Sequence, residues 1–274
     1  MSWLSKVDTV ISGTTFIHMI KAYILFFLVS LSCIAKAQQG QAQFDTTRFN
    51  QCIDLATYFV SCENYNQAAI DRYMRAEDIS SIEWLTYRSN DKWHTAGIVT
   101  TGNTFTLSKN IRIDTLGQVT ELPLNEDTSW LSAPGSAVAV ANQQFQLVRD
   151  TCNLYFNTFV HSNADQTISV WFLPAFQPSG QAIYGCEWEY VFDKTGKSFL
   201  KQNAFVNKLT GVWIGQPREL WLNYRNTDTP TPGSVFFALS FRDYFTRMRI
   251  DTRLSTSTIA KIANGEYCWT HKLK

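Results

Sequence analysis

Residues 182–205 read AIYGCEWEYVFDKTGKSFLKQNAF. Two runs rich in aromatic and β-branched residues, Ala182–Phe192 and Ser198–Phe205, flank Asp193-Lys194-Thr195-Gly196. A polar tetrad of this kind between apolar runs signals a turn. A connection this short permits only antiparallel pairing. The same pattern continues upstream. Cys152–His161 and Thr167–Leu173 flank Ser162-Asn163-Ala164-Asp165, and Pro178-Ser179-Gly180 precedes Ala182. The reading is a four-stranded meander.

A second meander is expected nearer the N-terminus. Ile82–Arg88 and Lys92–Val99 flank Ser89-Asn90-Asp91, while Thr104–Asp114 and Gln118–Leu122 flank Leu116-Gly117. Beyond residue 205, short strands are expected near Val212–Ile214 and at Glu219–Tyr224, Thr246–Leu254 and Glu266–Lys272. Ser234–Tyr244 fits helix and strand equally. Three helices are expected. The first opens at Asp45, a side chain suited to capping, with Phe44 and Phe49 at the positions of a hydrophobic staple. Its stripe is Phe49, Cys52, Ile53, Ala56, Phe59 and Val60, at helical period. The second covers about Asn66–Ala76 and the third Ser136–Asp150. Tyr65–Tyr73 is similar to half of a tetratricopeptide unit, but no copy follows about 34 residues on, so a repeat array is set aside.

The fold class expected is therefore α+β: mostly antiparallel β-sheet in two meanders, with two N-terminal helices and one middle helix packed on one side of it. Residues 38–274 form either one such domain or two closely packed lobes, 44–122 and 136–274, with no low-complexity linker between them.

The first 37 residues are read as an N-terminal extension followed by a signal peptide over 19–37. Lys21 is the positive n-region and Ala22–Ile34 the apolar h-region. Ala35 and Ala37 are small residues where a signal peptidase cuts, which places cleavage after Ala37. The apolar run falls short of the about 20 residues a membrane-spanning helix needs. Ser30-Leu31-Ser32 is a poor lipobox ahead of Cys33. Met19 is the expected translation start. The protein is accordingly expected to be secreted or periplasmic, with no transmembrane segment after cleavage. Residues 1–37 contain three lysines and one aspartate, so cleavage leaves 21 basic and 22 acidic residues. That near-neutral balance gives no electrostatic reason to expect a nucleic-acid partner.

Five cysteines follow residue 37: Cys52, Cys62, Cys152, Cys186 and Cys268. An odd count leaves at least one thiol free or paired between chains. None has zinc-ligand spacing, so no metal and no cofactor is expected. Cys52 and Cys62 can pair only if the chain turns near Ser61–Asn66, because ten residues of helix separate them by about 15 Å.

GxSxG, HExxH, P-loop and GxGxxG signatures are absent. Four groups of residues are candidates for a site. Glu187 and Glu189 share a strand face, with Cα atoms about 6.6 Å apart. That spacing suits the carboxylate pair of a glycoside hydrolase. Cys186 with His161, on neighbouring strands, is a possible nucleophile and base. Arg247, Arg249 and Arg253 alternate along one strand, with Met248, Ile250 and Leu254 on the other face, and could grip an anionic ligand. Trp188, with Trp171, Trp213 and Trp221, could offer stacking platforms for sugars. The segment from Val170-Trp-Phe-Leu-Pro through Asp193-Lys-Thr-Gly is similar to exported bacterial proteins and implies no site residue. The leading expectation is a non-enzymatic binding or envelope-associated module for a glycan or small anionic ligand. The alternative is a glycan hydrolase using Glu187 and Glu189.

The Ala-Lys-Ala site predicts a mature N-terminus at Gln38. N-terminal sequencing of protein recovered from its native host is the check. A chain that begins at a lipidated Cys33, or that retains residues 19–37, overturns the reading.

Overall fold

A computed structural model describes residues 43–73, 82–89, 92–114, 117–126, 128–215 and 218–274. The expected signal segment, Cys33, residues 74–76 of the second expected helix, and Asn90, Asp91 and Leu116 of the expected turns lie outside these. Phe44–Lys274 packs as one compact unit. The fold is α+β with mostly antiparallel sheet.

Helix α1 (Thr46–Tyr73) comes first. Asp45 accepts a hydrogen bond from the backbone N–H of Arg48 at 2.9 Å, and the Phe44 and Phe49 rings meet edge to face at 5.5 Å. Both expected start signals are therefore in place. The two expected N-terminal helices are one. Ser61 bonds back to the carbonyl of Thr57 at 3.0 Å, which accommodates a serine within the helix. Asn66 accepts from the Thr86 hydroxyl at 2.5 Å, and Cys62 within the supposed break and Ala69 beyond it are buried. Tertiary contacts thus carry the helix through the Ser-Cys-Glu-Asn segment. Cys52 and Cys62 consequently stand ten residues apart on one helix, and both are free thiols.

The first sheet is the meander β1 (Glu83–Ser89), β2 (Lys92–Thr101), β3 (Thr104–Ile113) and β4 (Val119–Glu121). Helix α2 (Ser132–Cys152) follows, close to the expected middle helix. The second sheet is the meander β5 (Phe156–Ser162), β6 (Ile168–Pro174), β7 (Gln181–Phe192) and β8 (Phe199–Trp213). The expected separate strand near Val212–Ile214 is the end of β8.

Among the described residues there is also a third sheet, ordered β12-β11-β10-β9, which the two-meander reading missed. Its strands are β9 (Glu219–Tyr224), β10 (Arg247–Thr252), β11 (Ser255–Lys261) and β12 (Tyr267–Leu273). β9 and β10 run parallel, joined through helix α3 (Pro232–Phe241). Parallel neighbours need such a crossover. The ambiguous segment 234–244 is this helix and the 3-10 turn Arg242–Tyr244 that follows it. Val235, Phe236, Phe237 and Ala238 are all buried, so no amphipathic period marks it.

The central sheet is covered on both faces rather than one. The face bearing Phe159, Trp171 and Leu173 packs with α1, α3 and the third sheet. The face bearing Val160, Val170, Phe172 and Tyr190 packs with α2 and with Leu85, Ala96 and Ile98 of the first sheet.

On β10, Met248 and Ile250 are buried as expected, but Leu254 is 51% exposed because the strand ends at Thr252. Ile250 is 0% exposed. Ile250→Ala is therefore expected to lose about 2–5 kcal/mol of unfolding free energy. Leu254→Ala should stay within about 0.5 kcal/mol of wild type. Urea titration of the two variants is the check, and the reverse ranking would overturn the register.

Candidate functional site

The strand β7 carries two carboxylates two residues apart on one sheet face, and they have different surroundings. Glu187 is 1% exposed. Its Oε1 accepts hydrogen bonds from the hydroxyls of Tyr224 at 2.6 Å and Thr231 at 2.9 Å, and its Oε2 accepts from the backbone N–H of Gly233 at 3.1 Å. Thr231 is also the N-cap of α3, within a capping box completed by Ser234, with Pro232 in the first turn. The Glu187 carboxyl thus lies against the positive end of a helix. No side chain fits at position 233, since a Cβ there would lie 2.3 Å from the Glu187 carboxyl carbon. Burial nevertheless outweighs the three donors and raises the carboxyl from 4.5 to about 7. The Tyr224 hydroxyl is pushed well above its ordinary range by burial and by the Glu187 charge. The void beside them is about 10 Å³, room for one water at most.

Glu189 is half-buried, oriented by the Ser169 hydroxyl at 2.7 Å and the Asn203 amide at 2.6 Å. It lines two hollows. The larger, about 560 Å³, is floored by Trp171 and Phe205 and walled by Arg48 and Gln51 of α1 and by the loop 226–232. The smaller, about 400 Å³, lies toward Asn163, Thr167 and Lys201. Trp171 is 2% exposed, and its indole N–H has no hydrogen-bond partner. Arg48 and Lys201 are set against Glu189, Asp165 and Asp228, so the lining has mixed charge.

The remaining candidates are distributed as follows. His161 is on the Glu189 face of the central sheet, paired with Ser169, and bonds Asn163 at 3.1 Å. Burial lowers its pKa, opposed by Asn163 and by the Glu189 charge. Cys186 alternates onto the opposite face with Trp188 and Tyr190, so the expected Cys186–His161 pairing does not form. Trp188 packs toward Phe145 of α2 with ring centroids 6.1 Å apart, away from the hollows.

The arginines are engaged with carboxylates. Arg247 and Arg249 both reach Glu219, at 3.2 and 3.4 Å, and Arg249 also lies 4.4 Å above the Trp221 ring. Arg253 lies beyond the strand and pairs with Asp228 at 2.5 Å. Trp213 and Trp221 are 59% and 51% exposed. Among the described residues, no three His, Cys, Asp or Glu side chains group as metal ligands, and no helix is long and apolar enough to cross a membrane.

Sequence reasoning missed Ser169, Asn203, Tyr224 and Thr231. Thr231-Pro232 ahead of an apolar run is a helix-start signal that would have exposed the last of these.

Comparison with family models, with curated proteins and with solved structures gives no match. The site's chemistry therefore rests on its own geometry: a fixed, partly exposed carboxylate in a polar groove, next to an enclosed carboxyl that holds a helix.

The raised pKa of Glu187 has a testable sign. A carboxyl that binds its proton more tightly in the folded protein contributes most stability below about pH 4.5, and that contribution is lost as pH rises to about 7. Glu187→Gln lacks this titration. The stability of wild type minus that of the variant should fall by on the order of 3 kcal/mol between pH 4.5 and 7.5. Taking the difference removes Glu63, raised by burial, and His161 and His271, lowered by burial. Denaturant titrations across that range are the check, and parallel curves would contradict it.

Proposed function

We propose that the protein is an exported, non-enzymatic binding module, and that it holds a glycan in the groove centred on Glu189. The observation that carries this reading is the contrast between the two carboxylates. Hydrolysis of a glycoside needs two carboxyl groups facing the substrate. Here Glu189 is half-buried and lines a groove, with one protein donor on each oxygen, while Glu187 is sealed from solvent with three donors on its two oxygens. Three features favour a sugar over an anion. The lining mixes acids, bases, amides and hydroxyls, which suits hydroxyls that both donate and accept. Phe205 adds an apolar floor. The arginines that would favour an anion already pair with Glu219 and Asp228. Export to the periplasm or the medium, the expectation from residues 19–37, would place the groove where cell-envelope glycans occur.

A glycan array probed with wild type and Glu189→Gln is the test. Losing one charge-assisted hydrogen bond should weaken binding of the best ligand about tenfold or more, measured well below the melting temperatures of both proteins. The same ligand, incubated with wild type, should yield no new reducing ends. Equal binding by both proteins would overturn the site, and reducing ends that disappear with Glu189→Gln would make the protein a hydrolase.

A further inference from the structure

Two of the five described cysteines stand on the two sides of the α2–sheet interface, Cys152 on the helix and Cys186 on β7. Phe145 of α2 stacks on Phe172 with ring centroids 4.1 Å apart and meets Trp188 at 6.1 Å. One turn on, the Arg149 guanidinium lies over the Phe172 ring at 5.3 Å. This face of α2 therefore tracks the Trp188 side of the central sheet. Seven residues beyond Phe145, two turns of helix, the same face presents Cys152. Two residues before Trp188, the same side of β7 presents Cys186. The helix ends there: Asn153 takes a left-handed conformation, its N–H bonds to the Arg149 carbonyl, and the chain enters β5. The Cys152 side chain is among the neighbours that raise the Cys186 thiol, after burial as the largest cause. The other three thiols are apart. Cys52 and Cys62 are buried on α1 and donate to the carbonyls of Pro230 and Thr86, and Cys268 is exposed on β12.

We propose that Cys152 and Cys186 are a disulfide-forming pair that ties the C-terminal end of α2 to β7. The chemistry is thiol–disulfide exchange with a small disulfide such as oxidised glutathione. The Cys152 thiolate, from the half-buried partner, attacks one sulfur of glutathione disulfide and expels a glutathione thiolate. The Cys186 thiolate then attacks the Cys152 sulfur of the mixed disulfide and expels the second glutathione. The two cysteines give up two protons and two electrons, and one glutathione disulfide becomes two glutathiones. Burial holds the Cys186 thiol up at about 11, so the second step speeds up as pH rises. The product links elements that already touch. It restricts the unfolded chain across β5, β6 and the first half of β7, which is how such bonds stabilise. The inference is independent of the groove and of its ligand.

The test uses the full chain, fully reduced and then equilibrated with glutathione disulfide at pH 8.5. It is next denatured without reductant, alkylated and mapped by peptide mass spectrometry. The expected result is a Cys152–Cys186 cross-linked peptide, with Cys52, Cys62 and Cys268 alkylated and the melting temperature raised by about 5–10 °C over the reduced protein. Cys186→Ser would put a hydroxyl into the core, so Cys152→Ser serves as control. It should melt with the reduced wild type and show neither the cross-link nor the rise. Alkylation of both Cys152 and Cys186, a stable glutathione adduct at Cys152, or a rise that persists in Cys152→Ser would overturn the pairing.

Discussion

The C-terminal half of the molecule is organised around one buried carboxyl. Glu187 reaches from the middle of the central sheet to three partners on other elements: Tyr224 at the end of β9, Thr231 at the helix cap and Gly233 in the first turn of α3. A carboxyl sealed from water is costly unless its oxygens are satisfied. Satisfying them requires β9, the loop after it and the start of α3 to arrive together. The polar contact therefore acts as a positional constraint. The apolar residues of α3 can pack in many orientations, whereas the Glu187 contacts require its N-terminus to point at β7. Position 233 shows the same constraint from the other side, because the approach is too close for any side chain. Once α3 is anchored, β10 must return parallel to β9, and the third sheet follows from that crossover.

The same constraint separates the roles of two chemically identical side chains. Period-two alternation puts Glu187 and Glu189 on one face of β7, and this was legible in the sequence. What covers that face was not. The cover over Glu187 comes from residues 224–233, which lie 37 or more positions away in the chain. Over Glu189 the cover stops. Ser169 and Asn203 hold the carboxyl from neighbouring strands, and the space above it is groove. Local pattern dictates facing, and tertiary cover dictates whether a facing group is structural or available.

Other elements show where sequence reading succeeds and where it fails. The Asp193–Gly196 turn is self-contained: the Asp193 carboxylate accepts from the backbone N–H groups of Lys197 and Ser198, so four residues encode their own bend. The Phe44–Phe49 staple and the Asp45 cap are equally local. The continuity of α1 is not, because Asn66 looks like a breaker until its tertiary partner, Thr86, is known. Nor is α3, whose uniformly apolar sequence carries no period. The parallel pair was missed for a related reason. Tight turns announce antiparallel neighbours, but a long connection with an unrecognised helix announces nothing.

The arginine stripe shows that a charge pattern can specify pairing without specifying a ligand. Arg247 lies directly opposite Glu219 in the parallel β9–β10 register, and Arg249 lies opposite Trp221, over whose ring its guanidinium sits. Exposed ion pairs of this kind contribute about 0–1 kcal/mol each. Their larger consequence is discrimination. A one-residue slip of β10 against β9 would bring Arg247 and Arg249 to the buried side, opposite Leu220 and Leu222. Asp251, itself buried, reinforces the register at the other end of the strand, where it accepts from Arg225 at 2.7 Å and Lys274 at 2.6 Å and so ties Lys274 to the sheet. Parallel pairs lack a tight turn to fix their register, and here opposite charges on the solvent face, with Met248 and Ile250 beneath them, provide that information. Two of the three guanidinium groups that resembled a ligand clamp in the sequence, those of Arg247 and Arg249, thereby help to hold β9 and β10 in step, while that of Arg253 pairs with Asp228 in the loop before α3.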